Sequence, residues 1–264
     1  MMHDNFTFHE GTTPLLISVP HDGRLLPDDI EADMTAIGRS IPDTDWHVAR
    51  LYAFARDAGA SLLRANYSRY VVDLNRSASD EVLYPGQLVT GLCPSKTFAG
   101  DDIYVDARDI DPATQQSRVE RYWNPYHHKL MSMLELLQKK HGYALLWDAH
   151  SIPSEVPGLF DGELPVLNIG TWDGRSCSAD REQAVFGVAR DSGYSSVLNG
   201  RFKGGYITRH YGAPTAGIHA LQLEIAQRGY MHEGSGEFDA DAASRLQATL
   251  GAMLAAFNFQ SGFR

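Results

Sequence analysis

YALLWDAHS, residues 143–151, is the stretch whose reading decides the fold. Four apolar residues, Ala144 to Trp147, run directly into Asp148, Ala149, His150 and Ser151. A short unbroken apolar run reads as a strand buried on both faces, as in a parallel sheet. In open α/β sheets ligands bind at the carboxyl ends of such strands. His150 is therefore a candidate metal ligand.

A second stretch repeats the design. Residues 14–20, PLLISVP, end in His21, Asp22 and Gly23. An apolar strand again delivers a histidine to its C-terminal end. Neutral imidazole is the commonest metal ligand and suits zinc. Either histidine alone could simply bond a backbone group; the matched contexts favour two ligands of one ion.

Around these strands the chain alternates. The patterns predict strands at 15–19, 61–64, 70–74, 166–169, 196–198 and 218–225. They predict helices at 45–58, 119–141, 179–192 and 240–257, with a kink or a start at Pro125. Residues 80–118, rich in Gly, Pro and Asp, read as irregular. There is no repeat and no low-complexity linker. The expectation is one α/β domain over residues 1–264, with a mixed, largely parallel sheet flanked by helices.

The 264 residues carry 23 Lys plus Arg against 33 Asp plus Glu, a net charge of −10, which argues against nucleic acid and anionic membrane surfaces as partners. An anionic small molecule would need a local cluster of arginines. Cys93 and Cys177 form no CxxC pair. Neither a secretory signal nor a run of about 20 apolar residues is present. A soluble cytoplasmic protein is expected.

Four constellations carry chemistry. IPDTDWHVAR offers Asp43, Asp45 and His47 at a predicted helix start. One carboxylate would complete two imidazoles and leave a position for water. Spacing does not choose among Asp43, Asp45 and Asp22, and Asp43 also suits a helix cap. SRYVVDLNR, residues 68–76, mounts Arg69, Asn75 and Arg76 around an apolar run, and arginine matches a carboxylate bidentately. FKGGYITRHYG, residues 202–212, brings Tyr206, Thr208, Arg209 and His210 after a Gly pair, either as a gripping loop or as a plain hairpin. In AGIHALQLEIAQRGYM, residues 216–231, Ala220, Gln222 and Glu224 share one strand face. A carboxylate in so apolar a strand is costly unless it is paired or used. Glu224 suits a general base with a raised pKa, with a salt bridge to Arg228 as the alternative.

In the order VPHDG (19–23), DTDWH (43–47), SRYVVDLNR, LLWDAHSIPS (145–154), GGYITRHYG (204–212) and LQLEIAQRGYM (221–231), these motifs resemble the N-formylglutamate amidohydrolase (deformylase) family over roughly residues 10–235. The resemblance implies a phosphorylase/hydrolase-like fold related to the zinc carboxypeptidases. It implies metal-dependent hydrolysis of N-formyl-L-glutamate to formate and L-glutamate, the last step of one route of histidine degradation. In the wider relatives a His-x-x-Glu pair and a later His bind zinc. Here Arg24 stands three places after His21, so that pair is absent and the carboxylate is assigned to Asp45. The implied site is then His21, Asp45 and His150 for a divalent metal, zinc first. Glu224 and Arg76 are its catalytic residues, and Arg69, Asn75, Arg76, Tyr206 and Arg209 hold the small-molecule substrate. Related acyl-amino-acid hydrolases, of the aspartoacylase or succinylglutamate desuccinylase type, and a metal-free binding protein for acidic amino acids are the alternatives.

Overall fold

A computed structural model describes residues 3–80, 90–107 and 109–258. Its centre is β4 (Ala144–Ile152), all nine residues of which are buried. It pairs in parallel with β2 (Leu15–Val19) on one side and with β7 (Ile218–Ala226) on the other. Beyond β2 lies β3 (Ser61–Ala65), also parallel, and then β1 (Phe6–His9), antiparallel. Beyond β7, β5 (Leu167–Gly170) runs antiparallel and β6 (Ser196–Leu198) follows parallel to it. The order is β1-β3-β2-β4-β7-β5-β6. β8 (Met231–His232) and β9 (Glu237–Phe238) form a separate hairpin.

Alternation along the central strands splits the core into two layers. Leu145, Trp147, Ala149, Leu221, Leu223 and Ile225 pack under α2 (Ala179–Asp191) and α4 (Ala240–Phe257). Ala144, Leu146, Leu16 and Ala220 pack under α1 (Asn124–His141) on the other face. That second face turns polar toward the strand ends, where Ser18, Asp148, His150, Gln222 and Glu224 are all buried.

The mixed, largely parallel sheet agrees with the sequence reading. Five details differ. The helix expected over 45–58 is two short turns, Val48–Leu51 and Phe54–Asp57, and His47, at left-handed φ 64°, keeps it from starting before Val48. Asp43 caps nothing; its Oδ2 accepts from Tyr70 Oη at 2.6 Å and the Phe98 amide at 2.9 Å. Residues 70–74 are buried but form no strand. Their backbone groups are met one by one rather than by a neighbouring strand: the Val71 amide bonds Ser68 O, the Asp73 amide donates to Leu92 O at 2.7 Å, and Tyr70 O accepts from Tyr104 Oη at 3.0 Å. Residues 112–118 of the expected irregular stretch are helical, and residues 81–89 and 108 lie outside the described set. Finally, the 202–212 stretch is no hairpin; it holds the helix α3 (Tyr206–Tyr211). Pro125 sits in the first turn of α1, after a wide turn at Val119–Trp123. Among the described residues no helix is long and apolar enough to cross a membrane.

Candidate active site

Three loops and two strands bring the polar residues together. His21 lies just past β2, His150 lies near the end of β4, and the chain turns back through Asp45, whose amide donates to His21 O at 3.1 Å. Candidate ligand atoms of His21, Asp45 and His150 lie within 4.8 Å of one another, and all three residues are buried.

Each histidine has a carboxylate behind it. His21 Nε2 lies 2.8 Å from Asp73 Oδ1, and His150 Nε2 lies 3.1 Å from Asp148 Oδ2. Both Nδ1 atoms then face Asp45 Oδ2, at 3.8 Å from His21 and 3.0 Å from His150. A metal-binding histidine commonly has its far nitrogen held by such a carboxylate. The set of two imidazoles and one carboxylate thus fits a divalent cation on donor chemistry, proximity and bracing.

The charges diverge by environment. Burial, with help from the Arg69 guanidinium, pushes the His21 ring below the usual histidine range, toward the neutral form a ligand needs. Burial also opposes charge on His150, but Asp148 and Asp45 outweigh it and hold that ring well above the usual range. Glu224 pairs across the sheet with His150. Burial pushes its carboxyl up to about 8; His150 and Arg69 pull it down, while Asp45 and Asp148 push it up. The alternative partner is absent: Arg228 Nε pairs with Glu163 at 2.8 Å. Instead Gln222 Nε2 donates to Glu224 Oε2 at 3.3 Å.

His21, Asp45, His150, Gln222 and Glu224 line one cleft with Arg69, Asn75, Arg76 and Arg201. Arg69 is committed to Asp73, at 2.6 Å. Arg76 is held by Thr90 and the Asn75 carbonyl, with Nε donating to Thr90 O at 2.7 Å. Asn75 Oδ1 accepts from the Ile207 amide at 2.8 Å, and its Nδ2 lies 3.1 Å from His150 Nε2.

A sequence model of the N-formylglutamate amidohydrolase family matches residues 13–231, which contain every residue just described. The chain belongs to that family. It is 50% identical over 228 residues to N-formylglutamate deformylase of Pseudomonas putida, covering 86% of this chain and 85% of that protein. It is 47% identical over 257 residues to N-formylglutamate deformylase of Pseudomonas aeruginosa, covering 96% of each. The crystal structure of N-formylglutamate amidohydrolase from Ralstonia eutropha JMP134 superposes with TM-score 0.80 at 29% identity, over 96% of this chain and 97% of that one. A solved gene product of Agrobacterium tumefaciens shares the fold, with TM-score 0.73 at 18% identity over 97% of each chain.

Within this amidohydrolase fold, Gln227 and Tyr230 of the 221–231 stretch tie down the Asp45 loop. Tyr230 Oη bonds Trp46 O at 2.6 Å and Ser151 Oγ at 2.7 Å, and Gln227 Nε2 donates to Thr44 O at 3.2 Å. The Ser151 amide in turn donates to Asp45 Oδ2 at 3.2 Å. The loop carrying Asp45 is thus tied at Thr44 and Trp46.

Of the residues singled out in the sequence, His21, Asp45, Arg69, Asn75, Arg76, His150 and Glu224 all line the cleft. Tyr206 and Arg209 are not among its lining residues. The Tyr206 ring stacks on His210, 4.8 Å between centroids, while Arg209 Nε donates to Gly204 O at 2.7 Å. Sequence reasoning missed Asp73 as a brace and Arg201 as a lining residue. Asp73 was findable as the lone charge in an apolar run; Arg201 carried no local signal.

Proposed function

We propose that the chain hydrolyses N-formyl-L-glutamate to formate and L-glutamate in a reaction that needs a divalent metal ion, at the end of histidine breakdown. The observation that carries this reading is the pair of carboxylate-backed histidines turned toward Asp45, next to buried Glu224, in a cleft with arginines. His21, Asp45 and His150 would hold the ion, and their nitrogen and oxygen donors favour zinc. When bound, such an ion supplies a Lewis acid that acidifies water and polarises a carbonyl oxygen.

The chain's own groups do the rest. Glu224 takes a proton from the water that adds to the formyl carbon. As the C–N bond breaks, it returns that proton to the leaving amine nitrogen, which departs as L-glutamate while the formyl carbon leaves as formate. A carboxyl raised by burial is matched to this two-way traffic near neutral pH. Gln222 orients the carboxylate through Oε2. Arg76, with Asn75, holds a substrate carboxylate, and preorganised donors of this kind contribute several kcal/mol to transition-state preference. Arg69 acts through Asp73, and Arg209 through the Gly204 carbonyl, each steadying a neighbour.

Formate release tests the reading directly. N-formyl-L-glutamate should yield formate faster than N-formyl-L-aspartate. A chelator should abolish turnover, and added zinc should restore it. An absence of formate from metal-replete protein would sink the proposal.

Two variants separate anchoring from chemistry. Arg76→Lys keeps the charge but loses the planar fork. KM should rise roughly 10- to 100-fold, the worth of about 1.5–3 kcal/mol for a hydrogen bond to a charged group. An unchanged KM would remove Arg76 from substrate binding. Gly205→Ala acts from behind. A Cβ on Gly205 would stand 2.3 Å from Asn75 Nδ2, so the amide must move. Misplacement of this order costs about 10²-fold, and kcat/KM should fall by that much with metal content retained. Wild-type kinetics in this variant would show that the Asn75 position is unimportant.

A further inference from the structure

We propose that Trp123 and His127, which are not among the residues lining the cleft, are positioning residues: they fix the Asn75–Arg76 step that holds a substrate carboxylate. This rests on the reaction proposed above. The step lies in a turn that belongs to no strand or helix. Its place is therefore set by tertiary bonds, and three successive carbonyls make them. Trp123 Nε1 donates to Arg76 O at 3.0 Å, and His127 Nε2 lies 2.9 Å from Leu74 O. Between them Asn75 O accepts the Tyr206 amide, at the start of α3, at 3.4 Å. Residues 123 and 127 are four apart, neighbours on one helix face. The two carbonyls that flank Asn75 thus hang from the start of α1, and its own carbonyl hangs from α3.

The hydrogen-bond roles of His127 are fixed from both ends. A carbonyl can only accept, so the proton is on Nε2. Burial pushes the ring's pKa down to about 3, so it is neutral and carries a single N–H. Nδ1 is then an acceptor, and Tyr211 Oη, 2.9 Å away, donates to it. The Trp123 and His127 rings stack with centroids 3.6 Å apart, which couples the two donors. Trp123 also closes the wide turn Val119–Trp123, a geometry found frequently at functional sites.

From this mount the contacts lead directly to the site. Arg76 Nη1 donates to Asn75 O at 3.0 Å, and Asn75 Nδ2 lies 3.1 Å from His150 Nε2. A shift of the 74–76 backbone would therefore carry the guanidinium and the amide together, away from the place they hold beside His150. An anchor for a small anion needs such a fixed base, because a mobile side chain spends binding energy on becoming ordered.

The test measures KM and kcat for N-formyl-L-glutamate and calorimetric binding of L-glutamate. Trp123→Phe keeps a stacking ring and loses the donor. It should raise KM and weaken glutamate binding about 5- to 10-fold, with kcat changed less than about threefold. Made in an Arg76→Lys background, the same substitution should cost less than about twofold, because its effect passes through that guanidinium. His127→Phe and His127→Gln divide donor from packing: the first keeps a ring without an N–H, the second an amide N–H without a ring. KM should follow the donor, rising about tenfold in His127→Phe and less than about threefold in His127→Gln, while the melting temperature follows the ring. A KM that tracks the melting temperature, or an equal Trp123→Phe loss in both Arg76 backgrounds, would overturn the proposal. If glutamate affinity follows the donors and wild type releases no formate, the reaction fails and the mount stands.

Discussion

Glu224→Gln should lower kcat by roughly 10²–10⁴-fold, the range for removing a general base, with metal content and KM little changed. Glutamine keeps the shape of the side chain and can still bond Gln222 Nε2, which lies 3.3 Å from Glu224 Oε2. What it loses is the capacity to accept a proton. The pH profile supplies a second readout. Burial raises this carboxyl above the usual range, and the working form is the carboxylate. Wild-type activity should therefore fall as pH drops through that raised pKa, and the residual rate of the variant should lack this limb. Turnover at the wild-type rate would defeat the mechanism even with the metal site intact. Asp148 and His210 would then be the candidates to examine.

Removal of Asp45 should be equally severe by a different route. Asp45 Oδ2 is the point on which both Nδ1 atoms converge, at 3.8 and 3.0 Å. Asp45→Ala leaves two imidazoles and no anion between them. We expect the purified variant to hold no stoichiometric metal and to release no formate above background. Asp43→Ala is the control. Asp43 bonds Tyr70 and the Phe98 amide, so its loss should loosen the 98 loop and lower the melting temperature while a full equivalent of metal remains. A full equivalent in the Asp45 variant would refute the ligand assignment.

The sheet was legible because burial writes itself into composition. The run at 144–147 is apolar without interruption, that at 15–19 is broken only by Ser18, and both are central strands. Glu224 stood out by the same logic, as a charge in a strand with no room for one. What composition reports, though, is burial and not hydrogen-bond partner. Residues 70–74 are as buried as a strand, yet the amides of Tyr70 and Val71 turn back on Ser68 and that of Asp73 donates to Leu92 O. The expected 45–58 helix failed for a related reason. Its first turn must deliver Asp45 to the histidines, and the left-handed His47 that follows breaks the helical path. Arginines resist reading altogether. Arg76, Arg201 and Arg209 look alike in a string of letters, and only the third dimension separates the two that reach the cleft from the one that props up Gly204.

The pairing of β4 with β7 has a consequence for how the protein acquires activity. His150 stands opposite Glu224, and Asp148 opposite Gln222. Displacing β7 by one residue would turn Glu224 toward α2 and α4 and bring Leu223 or Ile225 to the site. Displacing it by two would restore the correct face but part Glu224 from His150 by a rung. Neither mispaired chain can be active, though either could look well folded by its secondary-structure content. Regain of formate release after refolding therefore counts molecules with the correct strand alignment, a quantity that helix or sheet signals do not report.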